Sequence, residues 1–187
     1  MTLPLGGAVS GRGQRYFPIP SNTAAQFGLG SLAFTAPNLN ELELLPVWNP
    51  YAIKLSLLGS SIAVAGSADS TFQPAIYTCN ADGSPGPLLV AGTIMPGNAG
   101  GSALGAVNVT LPANSWLWMG ALVKGTTAPQ LLMITDPVES PFGGLIRLAN
   151  GSLFSRNYNQ TGLAAIPNPY GGVIASGASI ALQGVAT

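Results

Sequence analysis

The sequence predicts an all-β chain: an antiparallel β-sandwich or jelly-roll-like single domain preceded by a short extended N-terminal arm. Three observations carry that reading. Twenty-five glycines and sixteen prolines break the 187 residues into pieces too short for most helices, because these residues cost about 1 and about 3 kcal/mol in a helix interior. Between the breaks lie short runs in which apolar residues recur at every second position, the period of a half-buried strand. Turn-forming residues separate the runs at spacings that suit two sheets burying each other's apolar faces.

Residues 1–15 are assigned to the Gly-rich arm and residues 16–187 to the sandwich. Asn38 to Leu45 hints at a helical turn, with Leu39, Leu42 and Leu45 three apart, and Pro46 would stop it. Ile53, Leu55 and Leu57 then share one face of a strand, and Ala75, Tyr77 and Cys79 one face of the next. Asp82-Gly83-Ser84-Pro85-Gly86 is a compact turn into a Leu88–Val90 strand; glycine supplies positive φ and proline presets φ near about −65°. Met95 to Gly105 holds four glycines and reads as a mobile loop before the strand carrying Val107, Val109 and Leu111. Pro112, Ala113 and Asn114 lead into a Trp116–Lys124 strand whose Leu117, Met119, Ala121 and Val123 share a face. The C-terminal part alternates loop and short strand, and Ile180 to Val185 closes a sheet. There is no internal repeat, heptad pattern or charged tail.

Charge is scarce. Six Lys and Arg offset six Asp and Glu, and charged residues make up 6% of the chain against about 25% in an average soluble domain. Most of the surface must be uncharged, kept wet by Ser, Thr, Asn and Gln. Such a surface resists self-association poorly, which suits a subunit packed among copies of itself or on a larger particle; the alternative is a secreted β-protein with a merely neutral surface. The length suits one domain burying roughly 70% of its unfolded surface. Cys79 is the lone cysteine, so it forms no internal disulfide, and it reads as a small apolar core residue. Six scattered cations argue against nucleic-acid binding, which needs a basic patch. Met1 to Ser10 lacks the basic start of a signal peptide. The weakly apolar stretch Ala52 to Gly66 is broken by Lys54, Ser56, Gly59, Ser60 and Ser61 and falls short of the roughly 20 residues a membrane helix needs. The sequons at Asn108, Asn150 and Asn159 are expected by chance in a chain rich in Asn, Ser and Thr.

Histidine is absent, which removes Ser-His-Asp and Cys-His machinery. An enzyme would have to run on carboxylates, and glycoside hydrolysis needs two of them across a cleft, about 5–9 Å apart. Asp136 and Glu139 are the nearest to a pair and read as loop solvation; Glu41 and Glu43 read as the wet side of an edge or short helix, Asp82 as part of its turn, and Asp69 completes the set. Gly28-Leu29-Gly30 and the Gly97–Gly105 stretch match no nucleotide-loop pattern. No catalytic, cofactor or metal residue is assigned. The aromatics are the better clue, because sugar rings stack on exposed indole and phenol faces. Trp116 and Trp118 share a strand face opposite Leu117, Met119 and Ala121. They form a glycan platform, a subunit contact, or part of the core. Tyr158 and Tyr170 are further candidates for contact with a glycan or a subunit.

The run Ala75-Ile76-Tyr77-Thr78-Cys79-Asn80-Ala81-Asp82-Gly83-Ser84-Pro85-Gly86, followed by Leu111-Pro112-Ala113-Asn114-Ser115-Trp116-Leu117-Trp118, resembles a β-sandwich of tailed-bacteriophage virion proteins. In that group a strand ending in Ile-Tyr meets an Asp-Gly-x-Pro-Gly turn, and a Leu-Pro-Ala-Gly turn enters a tryptophan-bearing strand. Arg15-Tyr16-Phe17-Pro18 and Ile180-Ala181-Leu182 look like the ends of the same domain. Asn114 stands where the group more often has glycine, and asparagine tolerates the left-handed conformation. The resemblance implies a virion exterior component with no catalytic residues, of minor tail, tail-fibre or capsid decoration type, assembled in the host cytoplasm. Expected partners are copies of itself, as a homotrimer, other virion proteins, and a host surface glycan if the subunit also acts as an adhesin. The arm, with Arg12 and Arg15, is the expected anchor; no cofactor, nucleic acid or membrane insertion is expected.

Overall fold

The computed structural model describes residues 24–26, 31–49, 51–136, 157–175, 179–180 and 182–186. Among them the chain is all β. Its strands are β1 (Ala24–Gln26), β2 (Ser31–Thr35), β3 (Leu42–Asn49), β4 (Ile53–Val64), β5 (Thr71–Cys79), β6 (Pro85–Ala91), β7 (Met95–Pro96), β8 (Gly101–Leu111), β9 (Ser115–Lys124), β10 (Gln130–Asp136), β11 (Asn157–Gln160), β12 (Val173–Ala175), β13 (Ser179–Ile180) and β14 (Gln183–Ala186). The arm assigned to residues 1–15, with Arg12 and Arg15, lies outside the described residues, as do Tyr16, Phe17, Glu139, Asn150 and Ala181.

Two antiparallel sheets face each other. The first runs β1-β14-β4-β10-β13, with β8 beside β4 and β2 beside β10; the second runs β12-β11-β3-β9-β5-β6, with β7 also on β5. One of the two sheets is curled. The ladders of the first shift register at Leu55/Leu57, Val185/Ala186, Gln130/Leu131 and Ile134/Asp136, and each such bulge bends a strand and adds twist. The main core lies between the sheets, where Leu55, Leu58, Ile62 and Leu131 meet Phe72, Ile76, Leu117, Met119 and Val123. Fully burying a side chain of this size contributes about 1.5–3 kcal/mol.

The turns follow local chemistry. Gly83 takes φ 84° in the β5–β6 turn, and Asp82 Oδ1 accepts the Ser84 N–H at 3.0 Å and the Ser84 hydroxyl at 2.6 Å. Asn114 takes φ 50° between β8 and β9. Asparagine is among the few residues other than glycine that take this left-handed conformation readily.

Three local expectations are corrected. Asn38 to Leu45 holds no helical turn: Asn40 takes φ 58°, its N–H donates to Val123 O at 2.8 Å, and β3 begins at Leu42. The spacing of Leu39, Leu42 and Leu45 reflects alternation across that strand, where Leu42 and Leu44 face outward and Val47 inward. Pro46 is tolerated inside β3 because β11 accompanies it only from Leu42 to Leu44, so the missing N–H falls beyond that ladder. The loop expected over Met95 to Gly105 shrinks, since β7 and β8 claim both its ends. Finally, Leu57 leaves the face of Ile53 and Leu55, because the bulge passes the core-facing position from Leu55 to Leu58.

Candidate functional site

β9 is buried on both faces. Its Leu117, Met119, Ala121 and Val123 enter the main core, and Trp118, pointing the other way, enters a second cluster with Leu42, Leu44, Ala75 and Tyr77. That outer cluster is roofed by Tyr158, Leu163, Ile166 and Tyr170. The ring pairs are edge-on: Trp118 to Tyr158 at 5.0 Å, Tyr77 to Tyr170 at 5.5 Å and Tyr158 to Tyr170 at 6.4 Å between centroids. Edge-to-face pairs of this kind add about 0.5–1.5 kcal/mol beyond their buried area.

The roof is also tied by hydrogen bonds. Tyr77 Oη donates to Pro167 O at 2.7 Å, Tyr170 Oη to Leu42 O at 3.1 Å, and the Leu163 N–H to Asn40 O at 2.9 Å; Lys124 Nζ donates to Ala164 O. Burial pushes the Tyr77 and Tyr170 phenols far above the usual tyrosine range; for Tyr170 the neighbouring Tyr77, Glu43 and Glu41 push the same way. Cys79 borders the cluster. Burial is the main effect raising its thiol pKa, Asp82 adds to it, and the Trp118 indole opposes it.

The structure places the aromatic candidates as follows. Trp116 and Trp118 do share a face opposite the aliphatic row. Trp118 is 0% exposed, so its ring is closed to a ligand and belongs to the core. Trp116 is half-buried and lies across the ladder from Trp48, with centroids 5.1 Å apart and planes at 53°. Tyr158 and Tyr170 are half-buried and serve as roof. Among the described residues, aromatic surface is presented by Trp48, 36% exposed, and Tyr51, 49% exposed, at this end of the second sheet, and by Phe34, 45% exposed, on β2 of the first. Sequence reasoning missed all three; Trp48 joins Trp116 only through the β3–β9 register. This end is held by buried Asn49, whose Nδ2 donates to Tyr51 O at 2.7 Å and Pro112 O at 2.6 Å, fixing the β3–β4 turn against the β8–β9 hairpin.

The carboxylates act as local fasteners. Asp69 accepts the Thr126 N–H at 3.2 Å and the Thr126 hydroxyl at 2.9 Å. Hydrogen bonds from Ser67 and then Thr126 hold its carboxyl below the usual range. Ser67 Oγ accepts the Thr127 N–H at 2.9 Å, joining the same two loops. Glu41 Oε1 accepts from Asn159 Nδ2. Asp69 and Asp82 lie at opposite ends of β5, so they do not face each other across a cleft. Asp136 ends β10, and its expected partner Glu139 is outside the described residues. Among the described residues no three His, Cys, Asp or Glu gather as a metal site, and no helix is long and apolar enough to cross a membrane.

No protein-family model matches the chain, and no curated protein is significantly similar to it.

Proposed function

We propose that the chain is a non-enzymatic structural protein of a bacteriophage particle's exterior, a capsid decoration subunit or a short projecting head or tail-fibre subunit, which assembles with copies of itself and with other virion proteins. One observation carries the reading. Charge is scarce on the described sandwich: its charged residues are Glu41, Glu43, Lys54, Asp69, Asp82, Lys124 and Asp136, and of these Asp69, Asp82, Glu41 and Lys124 also fasten Thr126, Ser84, Asn159 and Ala164. So few charges do little to surround the sandwich with a repelling shell, and a nearly neutral surface of this kind favours close packing with neighbours. The turn and strand motifs shared with phage sandwiches support the same reading.

Contact by strand addition is disfavoured. On β8, the longest edge strand described, a bulge interrupts the ladder opposite Leu55 and Leu57, and the Thr93 hydroxyl donates to Ala106 O at 2.9 Å. On β6, Pro85 and Pro87 break the edge. Bulges and prolines are the devices that keep sheet edges from pairing, so assembly falls to the sheet faces and the arm. A glycan-binding role as a receptor-binding module loses Trp118 as a stacking surface and has no comparable support.

The test is light scattering on the purified full-length chain together with cryo-electron microscopy of particles. The expected result is an oligomer, three times the 18.9 kDa chain for a trimer, and regular density on the capsid or at the tail. A monomer that is also missing from particles overturns the proposal.

A further inference from the structure

We draw no further inference here: the strongest candidate, the surface around Trp48 and Tyr51 at the unroofed end of the second sheet's outer face, is an apolar patch, and nothing in the structure shows what covers it.

Discussion

The phenol of Tyr77 donates a 2.7 Å hydrogen bond to the carbonyl of Pro167, ninety residues further along the chain. Tyr170 answers from the roof, donating to Leu42 O at 3.1 Å. The segment over the outer face is therefore fixed by two phenols, one from each side, set among apolar rings.

Both phenols titrate above the ordinary value of 10.0 in the folded protein, chiefly through burial. The unfolded chain releases these protons first, so their contribution is complete below about pH 10 and declines as the pH rises beyond it. Denaturant unfolding between pH 8 and 11 is expected to show stability falling above about pH 10. Tyr77→Phe should flatten that fall and, by removing a partly buried hydrogen bond, cost about 1–2 kcal/mol at pH 7. A variant that matches the parent at both pH values would mean that the Tyr77 hydroxyl is already bonded to water.

Trp118 and Trp48 should behave as opposites. Trp118 is fully enclosed and Trp48 is 36% exposed. Truncating a large buried aromatic costs about 3–5 kcal/mol, so Trp118→Ala should unfold at far lower denaturant than Trp48→Ala, whose loss is expected near 1 kcal/mol. Tryptophan fluorescence gives a second readout: the blue-shifted, quencher-resistant component should vanish with Trp118 and survive loss of Trp48. Equal costs would show that the roof does not enclose Trp118.

The contrast shows what the sequence made legible. Period-two alternation identified the aliphatic face of β9 and the opposing tryptophan face, and turn chemistry located the bends at Gly83 and Asn114. Alternation says which residues share a face; it does not say what covers that face. Trp118 is buried by residues some forty or more positions away, at Tyr158 and beyond, and such long-range packing has no local signature. The same holds for Trp48, paired with Trp116 only through a ladder, and for Leu57, displaced by a bulge that apolar spacing cannot show. The spacing of Leu39, Leu42 and Leu45 fits both a helix turn and the flank of a strand, and the β3–β9 ladder decided for the strand.

Asp69 sets a test at acid pH. Its carboxyl lies below the ordinary aspartate value of 3.8 because Ser67 and Thr126 donate to the ionised form. A depressed carboxyl contributes stability that is present above pH 3.8 and lost as the pH falls through the folded value. NMR titration should place the midpoint of the Asp69 carboxyl below pH 3.8. In Asp69→Asn the amide protons of Thr126 and Thr127 should exchange faster, and the acid arm of the stability curve should flatten. Unchanged exchange in that variant would show that Ser67 alone joins the two loops. The site is fully exposed, so the effect is expected to be local.

Gly120 sits opposite Leu44 on β3 and Ala75 on β5, in the middle of the second sheet. A Cβ added there would lie 2.0 Å from the carbonyl oxygen of Glu43 and 3.2 Å from the Leu44 side chain. The oxygen belongs to the backbone, so the only relief is to move β3 away from β9, which opens the ladder beneath the outer cluster. Gly162 supplies the control, because at φ +69° it has nothing within 4 Å of the added carbon; alanine there meets only the left-handed backbone penalty of about 1–2 kcal/mol. Gly120→Ala is expected to cost about 3 kcal/mol or more, the upper end of overpacking, and to raise amide exchange along β3. Similar midpoints for the two variants in urea would show that β3 and β9 can separate without strain, and the close approach at Gly120 would then not be what sets the spacing of the sheet.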